Sequence, residues 1–141
     1  KKEAVDLGVD YVISLDETGC LGEGATENLA VVTEDNRLLT PPPDRILTGT
    51  TMKRVMKLSA RLCERGLLAD AAWDCITPDM ASAAREILIV GTTRDVLPVT
   101  EFEGKPVGDG KPGPVYRALL EELERDMRDN PGSRLVVFAA P

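Results

Sequence analysis

The apolar residues of this chain change their period in a fixed order. Leu29-Ala30-Val31-Val32-Thr33 is a strand-type run closed by Glu34-Asp35-Asn36, and Arg37-Leu38-Leu39-Thr40 pairs back as a hairpin. Pro41-Pro42-Pro43 then ends any ladder, because proline has no N–H to donate. From about Thr51 to Arg65 the spacing turns helical. Met52, Val55, Met56, Ser59, Leu62 and Cys63 share one face, and Gly66 caps the end. The opposite face carries Lys53, Arg54, Lys57, Arg61 and Arg65 and reads as solvated. Glu86-Ile87-Leu88-Ile89-Val90 is a buried strand, and Asp95-Val96-Leu97-Pro98-Val99 continues from it. Pro114 opens a second long helix with an apolar face of Tyr116, Leu119, Leu120, Leu123 and Met127, stopped by Asn130-Pro131-Gly132. Strand hairpins, then helix, strand and helix, predict an α/β domain with helices packed on a mixed sheet.

Shorter signals fill the gaps. Tyr11-Val12-Ile13-Ser14-Leu15 is a strand candidate, with a turn at Asp16-Glu17-Thr18-Gly19 and a return at Cys20-Leu21. Thr77-Pro78 starts a short helix, Glu103-Gly104-Lys105 is a turn, and Leu135-Val136-Val137-Phe138 is a possible added strand. Lys1 to Gly8 reads as the last two turns of a helix with Gly8 as its C-cap. A helix with no N-cap at residue 1 suggests that sequence precedes it.

Composition removes several classes of function. At 141 residues the chain is one domain. The formal charge of −7 argues against sequence-independent nucleic-acid binding, which needs a net basic face. With no histidine, Ser-His and Cys-His nucleophilic pairs and His-ligated metal sites are excluded within this chain. No apolar stretch approaches the ~20 residues of a membrane helix. Cys20, Cys63 and Cys75 are odd in number and lack C-x-x-C spacing, so reduced thiols in a cytoplasmic protein are expected.

One tripeptide occurs twice, as Gly49-Thr50-Thr51 and Gly91-Thr92-Thr93. The first opens a helix, where unpaired N–H groups and hydroxyls make a place for a phosphate. The second follows a buried strand, where ligand loops of α/β folds often lie. Both are also ordinary positions for a helix cap and a strand-end turn. Upstream, Gly22-Glu23-Gly24 sets a carboxylate between two residues without side chains, and Asn28 follows. Such a carboxylate can approach a flat ligand and hold a pyridine-type nitrogen protonated through a charge-assisted hydrogen bond; an exposed turn glutamate is the plain alternative. Together the three features suit a ligand with a phosphate at one end and a basic nitrogen at the other.

Their order resembles the class IV aminotransferases, the pyridoxal-phosphate enzymes that include branched-chain and D-amino-acid aminotransferases and aminodeoxychorismate lyase. The matching segments are Asp16-Glu17-Thr18-Gly19-Cys20-Leu21-Gly22-Glu23-Gly24 with Asn28-Leu29, Thr40-Pro41, Ile46-Leu47-Thr48-Gly49-Thr50-Thr51, Gly91 to Val99, and Gly108 to Pro114. The resemblance runs from Lys2 to about Leu120. It implies the C-terminal domain of the D-amino-acid aminotransferase-like fold, with a partly barrel-like sheet, and pyridoxal 5′-phosphate as cofactor. It assigns Glu23 to the ring nitrogen, Leu47 to one ring face, and Thr50, Thr51 and Thr92 to the phosphate. Asn28, Gly49 and Gly91 complete the cofactor site, and the Thr93 backbone helps to hold a substrate carboxylate. Met52 departs from the arginine common after the second segment's threonine, and Glu27 from the serine common before the asparagine.

No catalytic residue is assigned within the chain. The lysine that binds the cofactor covalently is expected roughly ten residues upstream of Lys1, with the N-terminal domain beyond it, so the isolated chain is expected to be inactive. The implied activity is amino transfer between a branched-chain-like amino acid and a 2-oxo acid in a cytoplasmic homodimer, without nucleic acid, membrane or metal. Aminodeoxychorismate lyase chemistry, a phosphate-ligand-binding domain without catalysis, and a structural domain whose Gly-Thr-Thr turns are only caps are the alternatives.

Overall fold

A computed structural model describes residues 2–130 and 132. The expected strand Leu135–Phe138 lies outside them. A five-stranded sheet runs in the order β3-β2-β1-β4-β5. Its strands are β1 (Asn28–Val32), β2 (Arg37–Thr40), β3 (Asp70–Trp73), β4 (Glu86–Gly91) and β5 (Asp95–Val99). Within it only the β2–β3 pair is parallel; the others are antiparallel, with Val31 opposite Leu39 and Ala30 opposite Leu88. The sheet is therefore mixed, as the succession of runs predicts. A separate two-stranded hairpin, β6 (Glu101–Phe102) and β7 (Lys105–Pro106), turns through Glu103 and Gly104.

Alternation divides the core into two layers, because successive strand residues point to opposite faces. Ala30, Val32, Leu38, Leu88 and Val90 meet the long helices α2 (Thr50–Glu64) and α4 (Pro114–Asp129). Leu29, Val31, Leu39, Ile87 and Ile89 meet Leu21, Ile76, Val107 and the short helix α3 (Pro78–Ser82). Thr77 caps α3 as the sequence predicts, its hydroxyl accepting from the Met80 N–H at 3.2 Å. An N-terminal helix α1 (Lys2–Leu7) ends at Gly8, whose φ is 67°.

Several expectations need correction. Tyr11–Leu15 is not a strand: among these residues the chain makes one isolated bridge, Leu15 to Leu21, while Tyr11 and Ile13 pack over the second layer. β3 was not evident in the sequence. The buried face of α4 is Val115, Ala118, Leu119, Glu122, Leu123 and Asp126, whereas Met127 is exposed. The basic face of α2 is not simply solvated. Arg61 Nη1 donates to Glu122 Oε2 at 2.8 Å, Arg65 and Arg125 reach the other oxygen, and Arg54 pairs with Asp126. Two buried acids on α4 turn these arginines inward, since a buried charge needs a partner.

Cys20 and Cys75 form a disulfide, which overturns the expectation of three reduced thiols; Cys63 stays free. The pairing follows from the fold. The Leu21 N–H donates to the Ile76 carbonyl at 2.7 Å, which brings the preceding residues of both segments side by side. Among the described residues no helix is long and apolar enough to cross a membrane, and no metal-binding cluster of side chains occurs.

Candidate cofactor site

The segment before β1 delivers Glu23 through a loop held from within. Asp16 is its centre. Its carboxylate accepts from the Thr18 hydroxyl at 2.7 Å and from the backbone N–H groups of Thr18 and Cys20, and it pairs with Arg45 at 2.9 Å. The Thr18 hydroxyl, then the backbone donors and Arg45, hold the Asp16 carboxyl down at about 2. Ser14 grips the Glu23 backbone on both sides: its hydroxyl donates to the Glu23 carbonyl at 3.0 Å and accepts from the Glu23 N–H at 3.3 Å. Sequence reasoning missed Ser14 and Arg45 as supports. The turn expected at Asp16-Glu17-Thr18-Gly19 is present, and the Asp16-x-Thr18 spacing is the one signal that could have marked Asp16 as its anchor.

Glu23 is an anchored group, not a free turn glutamate. Its Oε1 accepts from the Leu47 N–H at 3.0 Å and its Oε2 from Asn28 Nδ2 at 3.2 Å. Asn28, only 4% exposed at the first position of β1, also donates to the Leu47 carbonyl at 3.0 Å. Its Oδ1 accepts from the Gly49 N–H at 3.0 Å. A Cβ on Gly49 would lie 2.7 Å from that oxygen, so the close approach needs glycine here. Leu47 itself stands 83% exposed beside the carboxylate.

Gly49 is the N-cap of α2 and has no side chain to satisfy the helix's first N–H groups. Those donors belong to Thr50 and Thr51, which add two hydroxyls at the positive end of the helix. The second tripeptide sits close by. Gly91 ends β4 next to Val90, which pairs with Asn28, and it packs against Thr26 and Glu27. Thr92 and Thr93 are exposed in the β4–β5 turn, and Asp95, opposite Gly91, lines a cleft of ≈ 400 Å³ together with Thr50, Thr51 and Arg54. Glu27 folds back onto Thr26, its carboxylate accepting from the Thr26 N–H at 3.1 Å. A larger groove of ≈ 550 Å³ opens at the far end of β1, around Thr33, Asp35 and Asp79, and includes none of these residues.

Hydrogen bonds join Glu23, Asn28, Leu47 and Gly49, and Thr50 and Thr51 follow at the α2 start. Gly91 ends β4 at the same end of the sheet, with Thr92 and Thr93 in the exposed turn beyond it, and the cleft takes in Thr50 and Thr51 but not Glu23, Leu47 or Thr92. This end presents a carboxylate, an exposed apolar side chain and an uncapped helix start in sequence along one edge. A carboxylate can accept a hydrogen bond from a protonated nitrogen, and free N–H groups and hydroxyls at a helix start can donate to an anion.

Known proteins resemble this chain in sequence and in fold. Residues 1–102 match the family model described as amino-transferase class IV. The chloroplastic D-amino-acid transaminase of Arabidopsis thaliana is 34% identical over 93% of this chain and 35% of its own length. The branched-chain-amino-acid aminotransferase of Pseudomonas aeruginosa is 33% identical over 84% of the chain and 36% of its own. Among solved structures, a T.th. branched-chain amino acid aminotransferase complexed with N-(5′-phosphopyridoxyl)-L-glutamate superposes with a TM-score of 0.80 at 29% identity. That match covers 94% of this chain and 42% of that one. The chain spans well under half the length of these relatives. With a family match over residues 1–102, this chain belongs to the class IV aminotransferases.

Proposed function

We propose that this chain is most of the C-terminal cofactor domain of a pyridoxal-phosphate-dependent aminotransferase. The full-length protein moves an amino group between a branched-chain-like amino acid and a 2-oxo acid. The observation that carries the reading is the juxtaposition of the anchored Glu23 carboxylate with the uncapped start of α2, both bonded to Asn28. The similarity to a branched-chain enzyme in complex with a phosphopyridoxyl compound supports the cofactor. When bound, pyridoxal phosphate supplies an electron sink for the substrate carbon that bears nitrogen.

Each residue then has a task. Glu23 holds a proton at the ring nitrogen, with its own position fixed by the Leu47 and Asn28 donors. Leu47 covers one ring face and excludes water from it. The N–H groups and hydroxyls of Thr50 and Thr51 bind the phosphate at the α2 N-terminus, joined by Thr92 from the β4–β5 turn. The Thr93 backbone holds the substrate carboxylate. A lysine in the part of the protein that precedes this chain moves the proton at the substrate carbon. Its partner in a homodimer is a second copy of the same protein.

The similarity to a D-amino-acid transaminase favours a second reading of the substrate, one of opposite handedness at the same site. The test is a titration of the full-length protein with pyridoxal 5′-phosphate, followed by amino transfer from L-leucine and D-alanine to 2-oxoglutarate. Stoichiometric uptake and transfer from one donor are expected. A protein that takes up no cofactor would end the proposal.

A further inference from the structure

Among the described residues, Asn28 is the one side chain that touches both ends of the site. Its amide nitrogen faces the carboxylate end, donating to Glu23 Oε2 and to the Leu47 carbonyl. Its amide oxygen faces the phosphate end, accepting from the Gly49 N–H at the α2 N-cap. Both N–H donors of the amide and one lone pair of its oxygen are used within the protein, and the residue is buried at 4% exposure. It has no donor left for a ligand. The geometry points to Asn28 as a positioning residue that sets the distance between the ring-nitrogen contact and the phosphate cup. This inference rests on the proposed cofactor reading and goes beyond it: the two ends of the site are coupled through one buried amide.

The coupling has a physical basis. Glu23 lies on the loop before β1, and Gly49, the N-cap of α2, comes twenty-one residues after Asn28 in sequence. The loop and the helix start each have other supports, Ser14 and Asp16 on one side and the α2 packing on the other. Asn28 joins one to the other by direct hydrogen bonds. A low-dielectric position makes each bond hard to replace by water. A displacement of the amide therefore moves the carboxylate and the helix start together.

Gly49 offers a way to push on the amide without changing it. The Cβ of Gly49→Ala would lie 2.7 Å from Asn28 Oδ1, so the amide must shift, while the N-cap φ of −65° suits alanine. The experiment uses the full-length holoenzyme and reads two quantities in each variant. One is the dissociation constant for pyridoxal 5′-phosphate. The other is the pH dependence of the bound cofactor's visible absorbance, which reports the ring-nitrogen contact. Glu23→Gln is expected to change the absorbance profile far more than retention, and Thr51→Val retention far more than the profile. Asn28→Ala and Gly49→Ala are expected to change both, with retention weakened about tenfold. Asn28→Asp, nearly the same shape, is expected to be worse than Asn28→Ala, because it sets a second carboxylate against Glu23 and the Leu47 carbonyl.

Folded Asn28→Ala and Gly49→Ala proteins with an unchanged absorbance profile would overturn the coupling. So would an Asn28→Asp protein milder than Asn28→Ala, which would mark the side chain as a space-filler. If Asn28→Ala does not fold, Gly49→Ala decides alone: lost retention with a parental profile refutes the inference. A parent protein that binds no pyridoxal phosphate refutes the functional reading, and this inference with it; a parent that binds it leaves the variants to judge the coupling separately.

Discussion

The two Gly-Thr-Thr copies have the same letters and different foundations. Gly49-Thr50-Thr51 opens a fifteen-residue helix, and its glycine is bonded to a buried asparagine. That helix is also locked to α4 by Arg54–Asp126 and by Arg61 and Arg65 on Glu122, an acid only 2% exposed. Gly91-Thr92-Thr93 is the tip of a strand hairpin, with both threonines exposed, and it closes at Asp95 with φ 56°. The first copy is preorganised by a side-chain hydrogen bond and a packed helix, while the second rests on its strand pairing and on the contact of Gly91 with Thr26 and Glu27. A tripeptide that could bind an anion at either place does so best where the donors are already fixed, because ordering them on binding costs free energy.

The sharpest way to break this comparison is at the fixed end. Glu23→Gln in the full-length protein is expected to lower turnover by roughly 10²–10⁴-fold while cofactor content holds. Steady-state kinetics with bound-cofactor counting checks this, and parental turnover would remove Glu23 from the chemistry. Next comes the staple beside it. Cys20 is three residues before Glu23, and its bond to Cys75 spans 55 residues. Cys75→Ser should cost about 2–4 kcal/mol of stability in urea melts. Hydrogen exchange should quicken in the Glu23 loop and not at the β4–β5 tip; equal quickening at both would erase the distinction. Thiol counting without reductant should find one free cysteine per chain, Cys63.

The copies can then be compared directly. Thr51→Val is expected to weaken cofactor retention by about 1–3 kcal/mol, as for one hydrogen bond to a charged group, and Thr92→Val by about 0.5–1.5 kcal/mol. Equal losses would mean that preorganisation does not matter here. The smallest effect concerns acid. Arg61's hydrogen bond, foremost, and its charge with those of Arg125 and Arg65 hold the Glu122 carboxyl below its ordinary value; Arg54 does the same for Asp126. Carboxyls depressed in the folded state add stability above their unfolded pKa and lose it as pH falls through the folded one. The melting temperature should therefore drop below about pH 4.5, and Glu122→Gln should flatten that drop. A parallel acid slope in the variant would show that the Glu122 pairs with Arg61 and Arg65 add nothing to the acid sensitivity.

Much of this was legible in the residues. β1, β2, β4, β5, α2 and α3 follow from period and caps, and the helix start at Gly49 from its tripeptide. What stayed hidden depends on partners distant in sequence. α4's buried face differs from the apolar stripe because Glu122 and Asp126 face inward, and acids read as outward until Arg54, Arg61 and Arg65 are seen beside them. β3 is four residues with an aspartate and two alanines, too weak a signal without the parallel neighbour β2. The Tyr11–Leu15 run is apolar because it covers Ile76 and Leu29's layer, not because it joins the sheet. The disulfide was invisible for the same reason: no spacing rule reaches across 55 residues. Among the site residues, the sequence marked Glu23, Asn28 and Gly49 separately, and only the hydrogen bonds reveal them as one unit.

Glu86 has its own consequence. From the first position of β4 its carboxylate accepts from the Val115 and Tyr116 N–H groups at 2.8 Å each, and it occupies the space a side chain on Gly113 would need. The sheet, not the preceding loop, therefore tells α4 where to begin. The exposed tip of that loop at Asp109 and Lys111 is free of this duty, which makes it a natural place to splice in a peptide tag or fluorescent reporter while leaving the helix behind it undisturbed.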